Sequence, residues 1–256
     1  MKVLYNMGEQ SPNIIKQEMT RLSKNSRTQI MDSNRMLLLN AAINEFAQKG
    51  FSGANINSIS LAAGFAKGTV YNYFSSKLAL LLAAINYAGG LHIDFIQQKV
   101  REVDESKLRL YRFFDAGFDY VENNPAQARF LLSFLHSPDP DVRHEVSVSY
   151  QPLFQFVSDE IILVGIENGI FREVIKIEAA TLLMTIYLGT ASNVDQQGKI
   201  LMDPRQVAEF TFRALQRIEN TQEPGVTNED PNHYWKSSTK REHRPDHRPV
   251  KTKPAG

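Results

Sequence analysis

The chain has 256 residues, 42% of them hydrophobic, with a formal net charge of +1 and no cysteine. That composition supports a sizeable core and excludes wholesale disorder, disulfide frameworks and thiolate metal sites. The longest unbroken apolar run, Leu78 to Ile85, is far short of the ~20 residues that span a bilayer, and the N-terminus carries no apolar signal-like stretch. A cytoplasmic location without a membrane partner is the expectation.

The near-neutral total hides an asymmetry. Residues 1–90 carry nine basic and four acidic side chains, residues 91–221 thirteen and nineteen, and residues 222–256 seven and five. A basic front on an acidic body points to an anionic partner at the front, although much of the surplus lies in residues 1–30.

Residues 1–30 read as a flexible leader with helical turns around Ile14–Leu22. From Asp32, Leu38, Leu39, Ala42, Ile43 and Phe46 recur at three-and-four spacing and make the apolar stripe of a first helix. "QKGF" ends it, with Gly50 at the left-handed position past the last turn and Phe51 folding back. Asn55 is a good N-cap for a short second helix ending at Gly64. A third helix is expected over Ala66–Phe74. A fourth, capped by Ser75 or Ser76, runs to about Val100, with a possible bend at Gly89-Gly90. Helices then follow over Lys107–Asn123, Pro125–His136, "SPDPD" to Asn168 with Pro152 inside, Ile177–Val194 and Pro204–Glu219. The tail from residue 222 is rich in Pro, Lys, Arg and His and reads as disordered. The fold class is all-α. A three-helix unit over residues 31–78 precedes a larger helical bundle over residues 79–221.

The second and third helices, joined by a tight glycine turn, have the form of a helix-turn-helix, whose second helix enters the DNA major groove. Ser60 and Gly64 supply the small residue and the turn glycine; Val70 and Phe74 point inward at i and i+4. Lys67, Gly68, Thr69, Tyr71, Asn72 and Tyr73 are left outside or at the margin. Lys67 and Lys77 bring charges suited to phosphate, and Gly68 permits close backbone approach. Asn72 can pair with adenine and the Thr69 methyl can meet thymine. The amides near Ser75–Lys77 open a helix and suit a phosphate. The bland alternatives are that Tyr71 braces the first helix and that Lys77 is a solvated charge. "GFAKGT" lacks both the spacing and the preceding strand of a phosphate-binding loop.

Over Arg35 to Lys77, "AAINEFAQKGF", "INSISLAAGFAKGTVYNYF" and "SSKLALL" resemble, in order and spacing, the DNA-binding domain of the TetR family of bacterial transcriptional regulators. The resemblance implies a homodimeric repressor or activator, with repression expected, bound to a double-stranded, near-palindromic operator. An all-α effector-sensing domain would move the two reading units apart. Carried over position by position, it places DNA contacts on Asn55, Lys67, Gly68, Thr69, Tyr71, Asn72, Tyr73 and Lys77. The chain departs from the family with Asn55 where threonine is frequent, Ala66 where serine is common and Ser60 in place of the usual alanine. Asn72 and Tyr73 fall where the family varies. "ENGIFREV" is similar to the stretch that ends the long helix of such regulators.

The same resemblance implies a four-helix dimer interface built from Ile177–Val194 and Arg205–Ile218. Ala180, Met184, Tyr187, Leu188 and Ala191, with Val207, Phe210, Ala214 and Leu215, are the stripes available for it, or else they face their own core. Phe113, Phe114, Phe118, Phe130, Phe134, Phe154, Phe156 and Tyr187 are the candidate lining of a pocket for a small hydrophobic effector. No cofactor or metal is expected. His136, Asp139, Asp141 and His144 cluster at a helix start, where capping explains the carboxylates, and His243 and His247 lack partners. No serine elbow, Cys–His pair or paired-carboxylate motif argues for an enzyme. A helical interaction module, or an enzyme with a helix-turn-helix that does not bind DNA, are the competing readings.

Overall fold

The computed structural model describes residues 12–195 and 197–218, with side chains from residue 28 onward. Residues 1–11 and 219–256, and with them the expected disordered tail with His243 and His247, lie outside the described residues. Among the described residues every regular element is helical, apart from two isolated β-bridges, so the fold is all-α.

The first helix, α1 (Pro12–Gly53), starts well before the expected Asp32 and takes in much of the segment read as a leader. Pro12 suits a helix start, and no glycine or proline follows until Gly50, so nothing stops the helix earlier. At Gly50 φ is 65°, and Phe51 stacks back on Phe46 with ring centroids 6.3 Å apart. After α2 (Ile56–Ala62), the expected helix over Ala66–Phe74 is reduced to one 3-10 turn, Thr69–Asn72. Gly68 adopts φ 81°, which no right-handed helix includes, so a helix cannot begin before Thr69.

The next helix, α3 (Lys77–Arg101), runs unbroken through Gly89-Gly90. It is followed by α4 (Ser106–Asn123), α5 (Pro125–Phe134) and α6 (Pro140–Phe156). A π-helical stretch, Val157–Leu163, leads into α7 (Val164–Glu167), and α8 (Lys176–Ala191) and α9 (Pro204–Leu215) close the described chain. Asp139 is spent on capping α6, accepting from the N–H groups of Asp141 (2.9 Å) and Val142 (3.3 Å). Among the described residues no three His, Asp or Glu side chains converge as a metal site would require. In "ENGIFREV", Phe171 folds onto Gly165, and the Arg172 N–H donates to the Leu215 carbonyl (2.8 Å), tying the end of the long helix to α9.

Two hydrophobic cores result. One gathers Leu38, Leu39, Ile43 and Phe46 of α1, Ile59 of α2, Val70, Phe74, the first half of α3, and Phe130, Leu131 and Phe134 of α5. The other gathers the second half of α3 with α4, α8, α9 and the π-helical stretch around Phe113, Phe114, Phe156, Ile161 and Tyr187. By length and composition α3 could cross a membrane, but here its Leu80, Leu81, Ala84, Ile85 and Ala88 fill the first core and its Ile93, Ile96 and Val100 the second.

His92 sits where α3 passes from one core to the other, almost wholly buried. Its Nδ1 pairs with the Tyr150 hydroxyl at 2.9 Å and its Nε2 with the Tyr187 hydroxyl at 2.8 Å. The Tyr120 ring lies against it, centroids 4.6 Å apart. Burial disfavours the imidazolium and lowers the His92 pKa to about 4; burial pushes the tyrosine hydroxyls up. Gly117 of α4 makes room for this arrangement, since a Cβ there would lie 2.3 Å from the Tyr187 ring.

Three expectations follow from this packing. Because the folded pKa of His92 lies below the ordinary 6.5, the unfolded chain takes up the proton first as pH falls. The contribution of neutral His92 is complete above about pH 6.5 and fades toward about pH 4, which removes about 2 kcal/mol between pH 7 and pH 5. Urea denaturation at the two pH values measures this, and His92→Gln should flatten the difference. Gly117→Ala should destabilise by about 1–3 kcal/mol through overpacking. Gly90→Ala, which meets nothing within 4 Å, should raise the melting temperature by removing a helix-interior glycine.

Candidate nucleic-acid interface

The helix-turn-helix is assembled from local signals. Asn55 Oδ1 caps α2, accepting from the N–H groups of Asn57 (2.8 Å) and Ser58 (3.4 Å), while its own N–H donates to Glu45 Oε1 of α1 at 3.0 Å. Gly64, at φ 83°, closes α2: its N–H donates to the Leu61 carbonyl (3.0 Å) and the next N–H, of Phe65, reaches the Ser60 carbonyl (2.9 Å). That paired bonding is the Schellman arrangement, and the left-handed backbone it needs is open to glycine.

Val70 is fully buried and Phe74 nearly so, which pins the inner side of the 3-10 turn to the first core. Ser60, whose hydroxyl the sequence reading treats as a minor change from alanine, accepts the buried Val70 N–H at 3.3 Å. The backbone bond in the same turn and this side-chain bond hold α2 and the 3-10 turn in one geometry. The signal for Ser60 was its small size and position; the distant partner gave no local cue.

Lys67, Tyr71 and Asn72 stand exposed on the opposite side, with Gly68 and Thr69 half-exposed beside them. Among the described residues none of Lys67, Thr69, Tyr71 and Asn72 spends its side chain on a protein hydrogen bond. Tyr71 does not brace α1. That role falls to Tyr73, which is half-buried and accepts from Asn34 Nδ2 at 3.2 Å. Lys77 is not a free surface charge either: its Nζ donates to the Ser52 carbonyl (3.2 Å) and lies 5.0 Å from the Phe51 ring centre. Ser76, rather than Ser75, caps α3 by accepting from the Ala79 N–H at 3.0 Å. The structure thus gathers Lys67, Gly68, Thr69, Tyr71 and Asn72 on one face, with Asn55 exposed at the start of α2, and turns Tyr73 and Lys77 toward α1 and its final turn.

The eight aromatic residues expected around an effector do not form one lining. Phe113, Phe114, Phe118 and Tyr187 make a packed cluster, with Phe113 and Tyr187 ring centroids 5.1 Å apart. Phe156 belongs to that core, under the Arg101 guanidinium. Phe130 and Phe134 pack instead on Phe46 of α1, in the other core. Only Phe154 of the eight lines the groove of about 430 Å³ between the end of α5, α6 and α8, beside Tyr150, Met184 and Leu188. A second groove, of about 440 Å³, lies between α8 and α9. On α8, Ala180, Met184, Tyr187 and Ala191 are buried in their own core; the apolar side chains left outside are Ile177 and Leu182, joined by Phe210 of α9.

Residues 38–84 match the family model described as bacterial regulatory proteins, tetR family. The HTH-type transcriptional activator FasR of Mycolicibacterium smegmatis is 29% identical over 130 residues, 51% of this chain and 59% of that protein. The match therefore covers less than two thirds of that relative. The solved structure of the transcriptional regulator FadR from Bacillus subtilis, in complex with stearoyl-CoA, superposes with a TM-score of 0.61 at 20% identity, covering 72% of this chain and 99% of that one. AibR in complex with isovaleryl coenzyme A and operator DNA superposes with a TM-score of 0.57 at 17% identity, covering 72% of this chain and 98% of that one. At such identities the superpositions establish the fold, while residues 38–84 carry the kinship. Residues 38–84, which hold the Gly64 turn and the Val70 anchor, thus form a DNA-binding domain of the tetR family of bacterial regulatory proteins, with a helical body behind it.

Proposed function

We propose that the chain is a cytoplasmic, effector-responsive homodimeric repressor that grips a near-palindromic operator through the face from Lys67 to Asn72. The observation that carries this reading is the pinned 3-10 turn, which leaves Lys67, Tyr71 and Asn72 exposed and uncommitted. Lys67 neutralises phosphate, Thr69, Tyr71 and Asn72 approach base edges or adjoining backbone, and Gly68 lets the strand come close. Asn55 and the first amides of α3 meet phosphates at the margins. Tyr73 and Lys77 act mainly by holding the face in place.

Dimerisation uses α8 and α9, within Ile177–Val194 and Arg205–Ile218. Support comes from the exposed Ile177, Leu182 and Phe210 and from the apolar groove between the two helices. Two-fold symmetry sets the half-sites about one helical turn, ~34–36 Å, or somewhat more apart. The effector is an acyl thioester of coenzyme A. The support is the stearoyl-CoA held by FadR and the isovaleryl coenzyme A held by AibR, together with the apolar groove between α5, α6 and α8 of this chain. The family is one of regulators, and the enzyme reading has no support from it.

Binding-site selection on random DNA, followed by anisotropy titration of the selected operator, tests the reading. Lys67→Ala should weaken all sequences alike and lower the slope of log affinity against log salt by about one. Asn72→Ala should lose about 1–3 kcal/mol on the preferred sequence and relax one base position. Unchanged affinity and preference in both variants would remove these residues from the interface. Leu182→Glu with Phe210→Glu should yield a monomer by light scattering and strip away most operator affinity; a stable dimer would place the interface elsewhere.

A further inference from the structure

Counted over protein groups alone, the His92 network has one more polar hydrogen than it has acceptors. A neutral imidazole offers one N–H and one lone pair, so one of its two tyrosine partners donates to it and the other accepts from it. The accepting hydroxyl keeps its own proton. Among the described residues neither the Tyr150 nor the Tyr187 hydroxyl has a hydrogen-bond partner other than His92. A spare O–H sealed inside the core would be costly, whereas one at the edge of the core can be offered to a ligand.

The position of Tyr150 says where such a ligand would lie. Tyr150 belongs both to the buried network and to the wall of the groove between the end of α5, α6 and α8. Leu135, Val146, Phe154, Met184 and Leu188 make much of the remaining wall apolar. No lysine or arginine lines the groove, and His144 on its wall is exposed to solvent. A carboxylate would therefore enter without a buried counter-charge, which is unfavourable; a neutral carbonyl would not. His92 can hold its proton on either nitrogen. With the proton on Nδ1, Tyr187 donates to Nε2, Nδ1–H donates to the Tyr150 oxygen, and the spare O–H is at Tyr150, beside the groove.

We infer that Tyr150 is the donor that reads the carbonyl oxygen of an acyl effector lying in this groove, with His92 and Tyr187 holding its hydroxyl in the donating orientation. Every polar hydrogen of the network is then used, in the order Tyr187 to His92 to Tyr150 to ligand. The inference rests on the acyl-effector reading above and narrows it to neutral carbonyl compounds, thioesters, esters and ketones, over free acids.

Calorimetry on the full chain with matched probes tests it. The first pair is a long-chain acyl-CoA and the S-alkyl-CoA thioether of equal length, which lacks the carbonyl. The second is a medium-chain methyl ketone and the alkane of equal length. Wild type should favour the carbonyl member of each pair by about five- to tenfold, the worth of one neutral hydrogen bond. Tyr150→Phe, which keeps the ring, should abolish the preference while leaving thioether affinity unchanged, a sign that the groove is intact. Discrimination that survives in Tyr150→Phe overturns the inference, as does equal binding of both members of each pair, or no binding of any, by wild type; the wild-type comparison decides alone should the variant not fold. If neither CoA probe binds but the ketone is preferred to the alkane, carbonyl reading stands and the coenzyme A assignment falls. If acyl-CoA releases operator DNA without any carbonyl preference, the function stands and this inference falls.

Discussion

The fold depends on α3 belonging to two hydrophobic cores at once. Its first half is packed against α1 and α5, its second half against α4, and α6 lies along it. Protein interiors are close-packed, so a helix shared by two cores cannot be repacked in one without strain in the other. Its ends are fastened as well. Lys77 at the start holds the Ser52 carbonyl, and Arg101 at the end makes a two-point contact with Glu160, at 2.7 and 3.1 Å. A ligand that alters packing around the second half of α3 acts on the element that opens beside the reading face. Here that shared helix, rather than a hinge between two separately packed domains, is the physical link available between grooves and DNA.

The reading element itself is too small to exist unaided. One 3-10 turn of four residues has neither the length nor the bond geometry to persist in water. It persists because its inner side is over-determined: Val70 is buried, its N–H is held by Ser60, Phe74 lies under the Arg35 guanidinium, and Tyr73 is tied to Asn34. With the backbone fixed from within, Lys67, Tyr71 and Asn72 need make no protein contacts. A face whose backbone is already rigid can meet a duplex while losing little further backbone entropy, so that ordering the free side chains is the main conformational cost left.

How much of this was legible in the sequence follows from how local each determinant is. Asn55, Gly64, the Val70–Phe74 pair and the cap at the start of α3 act over a few residues, and their spacing announced the helix-turn-helix. Asp32 looks like a cap, yet the helix starts at Pro12, because no glycine or proline interrupts it before Gly50. Hydrophobic period says that an aromatic is buried, not against what. Phe130 and Phe134 therefore read like Phe113 and Phe118, although they fill the other core. On α8 apolar residues occur on every side, so the period could not separate the inward Met184 and Tyr187 from the outward Leu182. His92 meets partners 58 and 95 residues away, a separation at which one sequence offers no cue.

The His92 network also has a structural consequence that an apolar filling would lack. Leucine or phenylalanine side chains at these positions could pack with small offsets between helices. An imidazole that must meet one hydroxyl at each nitrogen tolerates few such offsets, because hydrogen bonds fade quickly with distance and angle. The three groups come from α3, α6 and α8, so their bonds fix the relative placement of those helices. Gly89, approached by Ser149 and Tyr150, and Gly117, beneath the Tyr187 ring, provide the space for it on α3 and α4. A core held in register by a few directional bonds is one that a single new hydrogen bond can bias. A greasy core of equal volume would accommodate the same ligand by many small, uncoordinated adjustments.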